Sequence, residues 1–232
     1  IVGGTHGNEF TGAYLIKKFE QYPELVRRSS FETQTLLANP QAFAVARRYI
    51  DQDLNRAFLT QDLQNSNLSD YEAQQAKAIA QQLGTEGSAQ VDVIIDLHST
   101  TANMGLSLLM ANRSPDSLRL ASHVSGVNPL VKVCLTQPDS ESGLLRSLSK
   151  LGFVIEVGAV AQGVLDAYWF QQTEALIHVT LDYLHDCNRG TLMSNDRLLT
   201  FYETISSIDY PRNEIGEIQA MIHPDLQGKD YQ

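Results

Sequence analysis

Cysteine is scarce in this chain: its 232 residues contain only Cys134 and Cys187. Two thiols cannot build a disulfide framework, and their separation is not that of a zinc-ligand pair, so the expected setting is a reducing cytoplasm. Long apolar runs are missing too. None approaches the roughly 20 residues a membrane-spanning helix needs, and the N-terminus lacks the basic-then-apolar pattern of a secretion signal. Positive charge is in short supply, with 17 Lys and Arg against 27 Asp and Glu and a net charge of −10. That balance excludes nucleic acid and anionic membrane as general partners. The sequence has no internal repeat and no low-complexity segment. Its first residue is Ile and "IVGG" reads as a strand already under way, so a few preceding residues are expected.

What is present is a chain with 43% hydrophobic residues, enough for a full-sized core. Short apolar runs, "TQTLLAN", "VDVIIDLH", "LSLLMA", "VKVCLT" and "FVIEVGA", read as buried strands. Helical patterns lie between them: "GAYLIKKFEQY", "DYEAQQAKAIAQQLG", "SPDSLRLASHVSG" and the long "DAYWFQQTEALIHVTLDYLHDCNRG". This order predicts an α/β fold with a mixed, mostly parallel sheet flanked by helices. After Gly190 the texture changes to the Tyr, Ile, Thr and Pro of short strands. A boundary is expected there, with residues 1–190 forming a catalytic domain and 191–232 the start of a β-rich C-terminal domain. About 40 residues are few for an independent core, so that second domain is expected to be incomplete.

The opening "IVGGTHGNEF" places His6 and Glu9 three residues apart directly after a strand. Such a pair either caps the following helix or forms half of a metal site. A catalytic zinc takes about three protein ligands and leaves a position open. The third is sought at another strand end, because functional groups in α/β sheets gather beyond the carboxyl ends of the strands. His98, in "VDVIIDLHSTTANMG", is the histidine that fits; His123, His178, His185 and His223 sit in helical patterns or before a proline and read as surface or packing residues. Asp96 lies two residues before His98 on the same strand face, where it either supports the histidine or serves local backbone. Glu156 interrupts the apolar strand "FVIEVGA". A buried carboxylate without a task costs several kcal/mol, so Glu156 is a candidate general base, the alternative being an edge-strand residue facing water. "RRYIDQDLNRAF" gathers Arg47, Arg48, Asn55 and Arg56, and Arg146 precedes the Glu156 strand. Guanidinium forks grip carboxylates, which suits a small anionic substrate in so acidic a protein; singly, each arginine reads as a surface ion-pair partner. A non-catalytic module whose "GGTHG" turn cradles an anion is the reading from another class, but the turn lacks the Gly-Lys-Ser/Thr ending and the G-x-G-x-x-G spacing.

Taken together, "GGTHGNE", "NPQAFAVARRYIDQDLNR", "DLHSTTANMG", "FVIEVG" with "AQGVL", and "DYPRNEIGEIQAMIHPDLQGKDY" resemble the aspartoacylase branch of the aspartoacylase and succinylglutamate desuccinylase family along essentially the whole chain. The resemblance implies a zinc carboxypeptidase-like α/β domain followed by a β-rich domain, and hydrolysis of the amide of N-acylated amino acids. It implies one zinc per chain on His6, Glu9 and His98, with Glu156 as the base that later protonates the leaving amine. Arg48 would polarise the scissile carbonyl, Asn55 and Arg56 hold one substrate carboxylate, and Arg146 hold the other. The implied substrate is N-acetyl-L-aspartate, with N-acetylated aromatic amino acids as the alternative; self-association into a homo-oligomer is left open. Where animal members have a tyrosine four residues before the position of Arg146, this chain has Ser142. The family's C-terminal domain also runs further than "GKDYQ" and brings a tyrosine and a lysine to its pocket.

Overall fold

The computed structural model describes residues 1–84, 90–136, 143–192, 197–206, 208–226, 228 and 229. In chain order the elements are β1 (Val2–Gly3), α1 (Phe10–Gln21), β2 (Leu36–Leu37), α2 (Pro40–Ala44), α3 (Thr60–Gln64), α4 (Tyr71–Leu83), β3 (Val93–Ser99), β4 (Gly105–Met110), α5 (Pro115–Val127), β5 (Val131–Leu135), β6 (Leu151–Gly158), α6 (Ala167–Arg189) and β7 (Phe201–Glu203). Among the described residues, the one-turn 3-10 helices Pro23–Val26, Leu54–Arg56 and Leu145–Leu148 fill connections. Among these residues no helix is long and apolar enough to cross a membrane.

The long helices start and stop where their sequences dictate. Asp70, Ser114 and Asp166 each accept a backbone N–H of the first turn, capping α4, α5 and α6. Gly84 and Gly190 end α4 and α6 at positive φ, which a glycine adopts without strain. The two five-residue helices, α2 and α3, are not among the helical patterns read from the sequence, because so short a helix completes too few turns to leave a 3.6-residue pattern. The strand expected over "TQTLLAN" is confined to Leu36–Leu37.

The strands form one sheet in the order β2-β1-β3-β6-β4-β5-β7. Its two parallel halves meet at β6 and β4, the one antiparallel strand pair among the described residues. The sheet is therefore mixed and mostly parallel, as the alternation of short apolar runs and helices requires. On one face Leu15, Ile16 and Phe19 of α1, with α5 and α6, cover Ile95, Leu97, Phe153 and Ile155. On the other, Ile79, Ala80 and Leu83 of α4 pack with Val2, Ile94, Leu54, Leu145 and Leu148. Side chains alternate across a strand, so Ile94, Asp96 and His98 share the α4 face of β3. His98 pairs in register with Glu156 of β6, which sets both groups side by side on that face. Beyond Gly190 the chain adds β7 to the edge of this same sheet, parallel to β5. It then leaves Ile205, Ile208, Ile215 and Met221 exposed.

The β1–α1 loop is pinned tightly against α2. A Cβ on Gly7 would lie 2.1 Å from the carbonyl carbon of Ala42, and the Gly7 N–H donates to the Arg48 carbonyl at 3.1 Å. Gly7→Ala is therefore expected to destabilise the protein by about 3 kcal/mol or more, the upper range for overpacking a buried site. Denaturant unfolding of the variant checks this, and an unchanged midpoint would show that the loop can shift freely.

Candidate metal centre

His6 and Glu9 leave β1 and enter α1, His98 ends β3, and the three side chains are buried. Their nitrogen and oxygen ligand atoms all lie within 4.8 Å of one another. The two oxygens of Glu9 are shared between the histidines: His6 Nδ1 lies 2.6 Å from Oε1, and His98 Nδ1 lies 2.9 Å from Oε2. The Ser99 N–H donates to the same Oε2 at 3.0 Å. The far side of each ring meets another carboxylate. His6 Nε2 is 3.0 Å from Asp53 and His98 Nε2 is 2.9 Å from Asp96, which also accepts from the Thr5 hydroxyl at 2.9 Å.

Electrostatics follows from this alternation of acid and base. Burial opposes charge on His6, but hydrogen bonds from its ring to Asp53 and Glu9 outweigh it and raise the pKa. His98 is raised well above the ordinary histidine value: burial lowers it, and the charges of Asp96 and Glu9 overcome burial. Burial would raise Glu9 and Asp53, yet the histidine charges and hydrogen bonds hold both carboxyls far below the usual range. Each imidazole thus has a carboxylate oxygen within hydrogen-bond distance of both of its nitrogens. With each Nε2 turned to an aspartate, the two Nδ1 atoms face the Glu9 carboxylate, and a deprotonated Nδ1 would present its lone pair there. Two imidazole nitrogens and one carboxylate are the protein donor set of a catalytic zinc, so these residues fit that metal.

Arg48 and Asn55 border the same cluster. Arg48 donates to Asp53 from Nη2 at 2.9 Å and from Nε at 3.2 Å, and to Glu9 from Nη1 at 3.4 Å. The Asn55 amide nitrogen is 3.4 Å from His98 Nε2, and its oxygen accepts the Leu145 N–H at 2.9 Å. Glu156 stands beside His98 and is half-buried. Burial pushes its carboxyl up to about 7, an effect the charge on His98 offsets only in part. Arg56 is exposed, with Nη1 on the Asn55 carbonyl at 2.6 Å. Arg146 is buried and donates to the Leu109 carbonyl at 3.1 Å and the Thr136 hydroxyl at 2.8 Å. It belongs to the Leu145–Leu148 turn, and neither of these two contacts is with the histidine cluster. Ser142 lies outside the described residues. The "AQGVL" segment reaches the rim, since Asn8 bonds Gln162 and the Gly163 N–H donates to the Asn8 carbonyl at 2.8 Å. The carbonyl of Gly228 accepts from Asn103 at 2.6 Å.

Asp53 is the residue that sequence reasoning missed. It sits in the "DQDLNR" run two positions before Asn55, and its side chain also accepts the Asn55 N–H at 2.9 Å. The available signal was that spacing, an Asx-type cap ahead of a short turn.

Residues 1–184 match the family model described as the succinylglutamate desuccinylase/aspartoacylase catalytic domain. A probable aspartoacylase of Nostoc sp. (strain PCC 7120) is 60% identical over 232 residues, covering 100% of this chain and 79% of that protein. An N-acyl-aromatic-L-amino acid amidohydrolase (carboxylate-forming) of Rattus norvegicus is 38% identical over 239 residues, covering 100% and 75%. The crystal structure of murine aminoacylase 3 superposes with a TM-score of 0.89 at 33% identity over 100% of this chain and 78% of that one. A metallo-carboxypeptidase from Burkholderia cenocepacia, at 10% identity and a TM-score of 0.54 over 81% of this chain and 56% of that one, shares the fold alone.

Proposed function

Because the chain belongs to the succinylglutamate desuccinylase/aspartoacylase family, we propose that it is a zinc-dependent amidohydrolase of small N-acyl amino acids, with N-acetyl-L-aspartate as the preferred substrate. The observation that carries this is the convergence of His6 Nδ1 and His98 Nδ1 on the two oxygens of Glu9, with Glu156 in register beside His98. Zinc held by these three residues would acidify water and polarise the acyl carbonyl.

The chain's own residues do the rest. Glu156, with its carboxyl near neutrality and no hydrogen bond to it among the described residues, takes a proton from the attacking water and returns it to the departing amine nitrogen. Arg48 donates to the carbonyl oxygen as negative charge develops there. Asp53 keeps that guanidinium beside His6, and Asp96 fixes the ring of His98. Asn55 and Arg56 hold the α-carboxylate, and Arg146 holds the side-chain carboxylate. The products are acetate and aspartate.

Arg146 decides the substrate. A guanidinium in a poorly solvated pocket strongly prefers a carboxylate to an apolar group. Hydrolysis of N-acetyl-aspartate is expected with a kcat/KM at least about 100-fold above that for N-acetyl-phenylalanine or N-acetyl-tyrosine, the scale of leaving a buried polar group unpaired. Arg146→Leu should collapse that ratio. Preference of the wild type for the aromatic substrates would replace the aspartate assignment with the activity named for the rat relative, with the zinc chemistry unaltered.

A further inference from the structure

A carboxylate in the first turn of a helix ordinarily faces water and owes its place to the helix dipole. Glu72, in the first turn of α4, is instead fully buried. Burying a carboxylate costs several kcal/mol unless donors surround it, and Glu72 has four. Its Oε1 accepts the Ile50 N–H at 2.7 Å and the Asn39 amide at 3.1 Å; its Oε2 accepts the N–H groups of Asp51 at 2.9 Å and Gln52 at 3.2 Å. Those hydrogen bonds hold the Glu72 carboxyl below its ordinary pKa in spite of burial. Three successive backbone donors of one segment thus end on one side chain. The segment reciprocates, since the Asp51 carboxylate accepts the Tyr71 N–H at 2.9 Å and the Gln52 amide donates to Asp70 at 2.9 Å.

Asp51, Asp70 and Glu72 also bring ligand atoms within 4.8 Å of one another. Their oxygens, however, are engaged by N–H donors from residues 39, 50, 51, 52, 71 and 73. Donors in that arrangement fasten backbone and repel a cation.

What they fasten is flanked by site residues. Arg48 lies two positions before Ile50 and Asp53 directly follows Gln52, and the two side chains join across the segment while Asp53 reaches His6. Residues 50–52 belong to no helix or strand, so their course is set by these contacts and not by a ladder. We propose that Glu72 is a positioning residue whose buried carboxylate clamps residues 50–52 and thereby holds the Arg48–Asp53 pair against His6. This rests on the amidohydrolase reading above, in which Arg48 faces the acyl carbonyl.

The test uses Glu72→Gln in the zinc-loaded full chain. Gln keeps the shape but turns a donor toward backbone N–H groups. Zinc should stay at one per chain, because the three ligands come from other elements. With N-acetyl-aspartate, kcat should fall by about 10- to 100-fold with KM little changed, the scale of a misplaced reacting group. Hydrogen exchange at the amides of Ile50, Asp51 and Gln52 should accelerate while those of β3 and β6 remain protected. In the double variant with Arg48→Ala, Glu72→Gln should add little to the loss, since both changes act through one group. An unchanged kcat, unchanged exchange at residues 50–52, or losses that multiply in the double variant would overturn the proposal. An Arg48→Ala variant with full activity would instead count against the amidohydrolase assignment of Arg48, while the exchange measurement would still judge the clamp. If Glu72→Gln does not accumulate as folded protein, Glu72→Asp, which withdraws the charge by one methylene, is read by the same measurements.

Discussion

Replacing His98 by Ala is expected to weaken zinc binding by at least about 1,000-fold and to remove hydrolysis with it, because in the proposed site one of three direct donors is lost. His6→Ala and Glu9→Ala should do the same. The structure sets a graded comparison beside them. Asp53 and Asp96 contact the far nitrogens of the two rings at 3.0 and 2.9 Å, so Asp53→Asn and Asp96→Asn should cost only about 10- to 100-fold in affinity, the range for partners that orient a ligand. Zinc content after dialysis against chelators of increasing strength separates the two classes. Stoichiometric zinc in all three alanine variants would dismantle the triad.

Glu156→Gln should divide chemistry from binding. It keeps the size of the side chain and removes the base, so kcat is expected to fall by about 100-fold or more with zinc still bound. Loss of the metal would mean that Glu156 is a ligand instead. The same substitution should make the metal-free protein more stable at pH 8. The Glu156 carboxyl is raised from 4.5 to about 7 in the folded chain. Below the unfolded value both states hold the proton and the group contributes nothing. As pH rises from about 4.5 to about 7 the unfolded chain ionises first and stability falls, and above that range the penalty is complete, at about 3 kcal/mol. Thermal unfolding of the metal-free wild type and variant should therefore coincide near pH 4 and diverge by pH 8 in favour of Gln. Equal stability at both pH values would contradict the placement of a poorly solvated carboxylate next to His98. Zinc would narrow the difference, since a divalent charge nearby favours the carboxylate.

Where the sequence could be read, its periodicity carried the information. The four long helices and the strands carrying His98 and Glu156 are amphipathic or continuously apolar, and caps such as Asp70, Ser114 and Asp166 mark the helix starts. The meeting of His6, Glu9 and His98 was legible because a strand-end histidine must lie near the turn that follows a neighbouring parallel strand. β1 and β3 are such neighbours. The segment from Asn39 to Phe58 was not legible in this way. Its five-residue helix, its 3-10 turn and the stretch between them are held by side-chain-to-backbone bonds from Asn39, Asp53 and Glu72, and such bonds leave no period in the sequence. In the sequence Asp53 is one acid among several in its run, and nothing sets Glu72 apart from other glutamates. Only the fold shows that one meets His6 and the other is buried. The order of strands was equally hidden. Nothing in "LSLLMA" marks β4 as the strand that reverses direction against β6.

The central claim is that a zinc ion on His6, Glu9 and His98 is required to hydrolyse an N-acyl amino acid. Acetate release from N-acetyl-aspartate, measured on one preparation as isolated, after removal of metal by chelation and after return of one equivalent of zinc, tests it most directly. The account predicts hydrolysis that disappears with the metal and is restored at one zinc per chain. Undiminished hydrolysis by the metal-free protein, or a zinc-loaded protein inert toward N-acetylated aspartate, phenylalanine and tyrosine alike, would contradict it.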